Sequence, residues 1–129
     1  MCPQRILIVE DNDVIALALA CMVQKTGHQV MGKVRTGEEA VRRTLTEPVD
    51  LLIMDIQLAG TISGIEAVAR IRAHRPMPVI YASANTDLLE QEQCPNSPCT
   101  AFLAKPIALE QLEAAIDQLT TECDQLRPG

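Results

Sequence analysis

Aromatic side chains are almost missing from this sequence: its 129 residues include no Trp, one Tyr and one Phe. Modules that hold nucleic acid by stacking bases need more rings than Tyr81 and Phe102 provide, so that class is excluded. Basic charge is also scarce. Eleven Lys and Arg stand against seventeen Asp and Glu, a net charge of −6. Such a chain has few cations to exchange for the counterions of a phosphate backbone, so direct nucleic-acid binding by this domain is not expected. Long apolar runs are missing too. The longest uncharged one, Val14 to Val23, is too short to cross a bilayer, and membrane insertion is not expected. No secretory signal precedes Ile6, and the five cysteines are odd in number. Both features fit a reducing, cytoplasmic setting better than a disulfide scaffold. Cys94 and Cys99 flank Pro-Asn-Ser-Pro and are spaced to pair or to share a metal, but no second Cys/His pair at zinc spacing accompanies them.

What the chain does have is aliphatic residues, in a repeating order. Apolar residues make up 47% of it, too many for a disordered segment. The length suits one domain with a sizeable core, here spanning 1–129 with its core at about 5–122. Ile6–Val9, Leu51–Met54 and Val79–Ala82 are short unalternated runs, the pattern of strands buried on both faces of a parallel sheet. Gln29–Val34 and Ala101–Ala104 read as two more strands. Between them lie helical stretches: about Asn12 to Thr26, closed by Gly27; Thr36 to before Pro48; Ile65 to His74; Thr86 to Gln93; and Leu109 to Thr121. Five strand–helix units predict a doubly wound α/β domain with helices on both faces of the sheet.

In an open sheet of this kind, ligands gather beyond the carboxyl ends of the strands. Strand one ends in Glu10 and Asp11, strand three in Asp55, strand four in Ser83 and strand five in Lys105. Three carboxylates brought together repel: at about 4 Å and an effective dielectric near 20, each pair costs roughly 4 kcal/mol. A hard divalent cation offsets that cost with oxygen ligands, and Lys105 adds a point charge. A carboxylate, a hydroxyl and a lysine beside Mg²⁺ form a phosphoryl-handling set, in which the carboxylate can be the acceptor.

These segments together resemble the response regulator receiver domains of two-component signalling. The resemblance is carried by Ile-Leu-Ile-Val-Glu-Asp-Asn at 6–12, Leu-Leu-Ile-Met-Asp-Ile-Gln-Leu at 51–58, Gly-Ile-Glu-Ala at 64–67, Pro-Val-Ile-Tyr-Ala-Ser-Ala at 78–84 and Leu-Ala-Lys-Pro at 103–106. Each motif alone is weak, but all five in order, each at a strand end, are specific. The resemblance implies a flavodoxin-like (βα)5 fold with strand order 2-1-3-4-5. It implies Asp55 as phosphoacceptor and Asp11 and Asp55 as ligands of Mg²⁺ (or Mn²⁺). Glu10 would act on the metal through water, and the Gln57 backbone carbonyl would be a third protein ligand. Ser83 and Lys105 would hold the phosphoryl oxygens, and Phe102 would be the ring that swings inward when Ser83 shifts. The Lys105–Pro106 bond would be cis. The implied partner is a histidine kinase or a histidine phosphotransfer domain.

Three features depart from the usual pattern. Ala59–Ser63 makes a longer, Gly-containing loop after Asp55. Pro95 and Pro98 interrupt the region of the helix between strands four and five, which puts dimerisation through that helix in doubt. The first helix, Val14 to Val23, has no polar face, whereas a helix outside a sheet normally exposes one. One reading makes Val14, Leu17, Ala18, Pro106 and Ile107 a surface for the kinase or phosphotransfer partner; the others are a homodimer through the first helix, or a face that needs no partner. Functionally the leading expectation is a phosphorylation-controlled switch that is not a general enzyme and catalyses only its own phosphorylation and dephosphorylation. The alternatives are a phosphorylation-independent pseudo-receiver that only binds protein, and an α/β phosphohydrolase. No output domain is expected within these 129 residues.

Overall fold

The computed structural model of the chain describes residues 3–56, 58, 60–83 and 99–126, with side chains through 121. The expected helix at Thr86–Gln93, the Gln57 carbonyl and Cys94 lie outside those residues. The element order is β1 (Arg5–Val9), α1 (Asp13–Lys25), β2 (Gln29–Val34), α2 (Gly37–Thr46), β3 (Leu51–Asp55), α3 (Gly64–Arg72), β4 (Val79–Ser83), β5 (Thr100–Ala104) and α4 (Leu109–Leu126). All five strands pair in parallel in the order β2-β1-β3-β4-β5, as expected. The last helix runs on past Thr121, its expected end, to Leu126.

The aliphatic runs divide by parity, because successive strand residues face opposite sides. Ile6, Ile8, Leu51, Ile53 and Ile80 face one core, closed by Leu19 and Val23 of α1 and by Leu112, Ile116 and Leu119 of α4. Leu7, Val9, Leu52, Met54 and Tyr81 face the other, closed by Ala40 of α2 and by Val68 and Ile71 of α3. Each fully buried Leu or Ile contributes roughly 1.5–3 kcal/mol, so a core without Trp and with few rings still carries the fold. The two aromatics sit together. Tyr81 pairs with Phe102 in register across β4 and β5, and their rings stack with centroids 5.4 Å apart and planes at 15°.

The register levels the carboxyl ends of the central strands. Val9 lies opposite Met54, Asp55 opposite Ala82, and Ser83 opposite Ala104. The backbone carries this alignment one residue further on either side. Glu10 N–H donates to the Val34 carbonyl and Lys105 N–H to the Ser83 carbonyl, both at 2.9 Å. The residue after β1 and the residue after β5 are thereby fixed beside the end of β3. Gly64 closes the turn after β3. Its N–H donates to the Ile56 carbonyl at 3.1 Å, and a methyl group there would collide with the Asp55 carbonyl oxygen. Only glycine lets α3 start this close to the strand. Among the described residues no helix is long and apolar enough to cross a membrane.

Candidate functional site

Glu10, Asp11 and Asp55 bring one carboxylate oxygen each to within 4.8 Å of one another. Glu10 is 2% and Asp55 6% exposed, while Asp11 is half-buried. Neither Glu10 nor Asp11 caps α1. That role falls to Asn12, whose Oδ1 accepts from the N–H groups of Val14 (2.9 Å) and Ile15 (3.1 Å), a typical N-cap geometry. Asn12 N–H in turn donates to Glu10 Oε2 at 3.1 Å. The cap frees Asp11: no ion pair or hydrogen bond among the described residues engages its carboxylate.

Lys105 is the cation of the site. Its Nζ lies 2.5 Å from Glu10 Oε1 and 3.2 Å from Asp55 Oδ2. Burial pushes the ammonium's pKa down, but the hydrogen bond to Glu10 and the charges of Asp55 and Glu10 outweigh burial, and the net direction is up from the ordinary 10.5. Lys105 is therefore charged throughout the neutral range. One ammonium among three carboxylates leaves a surplus of negative charge. Hard oxygen donors that close together fit a divalent cation such as Mg²⁺. The bond from Lys105 to Pro106 is cis, as the resemblance implied. Ser83 is buried at the end of β4, with its carbonyl bonded to Lys105 N–H.

Next to this site the surface is apolar. A cavity of about 410 Å³ opens between Val14, Ala18 and Met22 of α1 and the stretch Lys105–Ile107. Val14 is 78% and Leu17 56% exposed, more than any other large apolar side chain described. Four of the five expected docking residues, Val14, Ala18, Pro106 and Ile107, meet at this cavity, and Leu17 lies outside it. Ile107 is only 8% exposed because it packs into the core under α1 and α4, so it forms the wall of the cavity and not its outer surface. Phe102, expected to be mobile, is half-buried and stacked on Tyr81. Cys99 is buried and disulfide-bonded, whereas Cys21 is a free, exposed thiol.

Residues 6–117 match the response regulator receiver domain. The chain belongs to that family. It is 33% identical over 117 residues to the transcriptional regulatory protein PdtaR of Mycobacterium tuberculosis, covering 89% of this chain and 56% of that protein. It is 36% identical over 115 residues to the phyllosphere-induced regulator PhyR of Methylorubrum extorquens, covering 88% and 42%. The receiver thus spans about half the length of these relatives. Among solved structures it is similar to the receiver domain of a modulated diguanylate cyclase from Desulfovibrio desulfuricans G20, with TM-score 0.87 and 28% identity over 98% of this chain and 100% of that one. It is also similar to the anti-anti-sigma factor PhyR from Bartonella quintana, with TM-score 0.85 and 32% identity over 98% and 51%. A receiver is a signalling phosphoacceptor module and implies a kinase partner. The acidic cluster Glu10, Asp11 and Asp55 is consistent with its phosphoacceptor site.

The crowding at this site has a measurable cost. Replacing Asp11 by Asn removes one of three like charges while keeping the shape. In EDTA the Asp11→Asn receiver is expected to be more stable than its parent by about 1 kcal/mol, the scale of one screened charge contact. The stabilisation that Mg²⁺ gives the parent is expected to shrink. Urea denaturation with and without Mg²⁺ checks both; equal midpoints for the two proteins in EDTA would show that the cluster carries no repulsion.

Proposed function

We propose that Asp55 accepts a phosphoryl group from a phosphohistidine on a histidine kinase or histidine phosphotransfer domain, and that the receiver then changes conformation to control a partner or an attached domain. The observation that carries this reading is the Asp55 carboxylate held at the end of β3, 3.2 Å from the Lys105 ammonium and among two further carboxylates. Asp11 and Asp55 would hold Mg²⁺ (or Mn²⁺), with Glu10 acting through water and the Gln57 carbonyl as a third protein ligand. The bound cation supplies positive charge against the phosphoryl oxygens.

In the transfer, an Asp55 carboxylate oxygen attacks phosphorus. The bond from phosphorus to the imidazole nitrogen breaks, and the imidazole keeps the electron pair. Lys105 exchanges its contact with Asp55 for a phosphoryl oxygen, and the Ser83 hydroxyl donates to another. The product is an acyl phosphate of about −1.5 to −2 charge where a single carboxylate stood. That change favours the arrangement in which Ser83 is drawn to the phosphoryl group and Phe102 moves with it. Hydrolysis by water returns the carboxylate. The receiver catalyses these steps on itself and no others. Asp55 and Lys105 are both in place, which favours this reading over a binding-only pseudo-receiver. The α/β phosphohydrolase alternative has no support in the family match.

On this reading Val14, Leu17, Ala18, Pro106 and Ile107 form the docking surface for the kinase or phosphotransfer helices, and a partner of that kind implies a cytoplasmic domain. The support is position: the apolar cavity has Lys105 in its wall, so a partner seated there reaches the acceptor. A homodimer through α1 would use the same exposed Val14 and Leu17.

Two experiments test these statements. With Mg²⁺ and beryllofluoride the receiver is expected to form a stable adduct, seen by fluorine NMR and lost in Asp55→Asn; no adduct on the parent would sink the switch reading. Leu17→Glu is expected to slow phosphotransfer from the cognate kinase at least tenfold while uptake from acetyl phosphate stays unchanged. Equal kinase rates would rule out docking at α1, and a dimer that the variant dissolves would favour the homodimer.

A further inference from the structure

The turn after β3 is held in place from outside. Ile62 buries its side chain in the core on the α2–α3 side, 7% exposed, against Gly37 at the start of α2. Its N–H donates to Glu38 Oε1 at 3.2 Å. The same carboxylate lies over Gly60, which adopts φ +103 and leaves room for it; a Cβ there would meet Glu38 Oε2 at 3.0 Å. Glu38 is not needed to start α2. The cap is Thr36, whose Oγ1 accepts from Glu39 N–H at 3.2 Å and donates to Glu39 Oε1 at 3.3 Å. Glu38, an exposed acidic residue in a first helical turn, would ordinarily be assigned to the helix dipole. Here it reaches across to another element instead.

We infer that Glu38 is a positioning residue for the acidic site, acting through Ile62 to set the affinity for Mg²⁺. The path is short. Ile62 is followed by Ser63, the N-cap of α3, and by Gly64, whose N–H closes on the Ile56 carbonyl and whose Cα packs against the Asp55 carbonyl. Fixing Ile62 therefore fixes the backbone that carries the Asp55 carboxylate. Metal ligands held at the right spacing before the ion arrives bind it more tightly, because the ordering cost is already met. The inference rests on the metal-binding reading proposed above.

The hydrogen bond needs an acceptor oxygen, not a charge, so two substitutions separate the mechanisms. Glu38→Gln keeps an amide oxygen for Ile62 N–H, and Glu38→Ala removes it; both delete the same negative charge. Calorimetric titration of the whole 129-residue chain with Mg²⁺, and with Mn²⁺ as a second probe, is expected to show affinity about fivefold weaker in Glu38→Ala, the scale of one hydrogen bond. Glu38→Gln is expected to stay within about twofold of the parent on the same scale. Equal affinity of Glu38→Ala and parent overturns the inference. So does Glu38→Gln falling as far as Glu38→Ala, since long-range charge would then account for the loss. A parent chain that binds neither cation overturns the metal reading itself, a result distinguishable from either of these.

Discussion

Glu10 and Asp55 are each almost wholly shielded from water, yet both carboxylates lie beside one ammonium group, that of Lys105. A buried carboxylate without a partner costs several kcal/mol, and here three elements from distant parts of the chain meet so that this cost is shared. The contact ties the end of β1 to the end of β5 across β3 and β4. It also leaves the site incompletely neutralised among the described residues, because Asp11 adds a third carboxylate beside the one ammonium of Lys105. That residual negative charge suits the cluster to a divalent cation.

The sheet makes such an arrangement rigid. Strand residues at the same level are fixed to one another by backbone hydrogen bonds, so the side chains just beyond the strands inherit a common height. The functional groups therefore need no support from loops of their own, with one exception. The turn after β3 closes back on the strand end that carries Asp55. Gly64 permits the close approach and Ile62 anchors the far side. On the opposite flank, α1 presents Val14 and Leu17 to solvent, and Val14 lines the cavity that Lys105 also lines. The acidic cluster and an apolar surface thus lie side by side.

Much of this was legible in the sequence because the signals are local and periodic. Unalternated aliphatic runs mark strands buried on both faces, and the residue that ends each run is the residue at the site. That logic located Glu10, Asp11, Asp55, Ser83 and Lys105 at the strand ends, whereas the strand order followed only from the family resemblance. What stayed hidden depends on how elements pack. Asn12 and Asp11 are both competent N-caps, and only the backbone shows that Asn12 takes the role and leaves Asp11 unengaged. Ile107 follows an exposed proline, and only the packing of α1 against α4 shows that it turns into the core. The pairing of Tyr81 with Phe102 needs the register of β4 on β5. Glu38 looks like any acidic residue opening a helix until Ile62 is found under it.

The cluster is proposed to direct phosphoryl chemistry to a single carboxylate, that of Asp55. Treating the chain with acetyl phosphate and Mg²⁺, reducing the acyl phosphate with borohydride and mapping the peptides by mass spectrometry tests it most directly. Homoserine is expected at position 55, with Glu10 and Asp11 unmodified. Modification at either of those two residues, or none at Asp55, would contradict it.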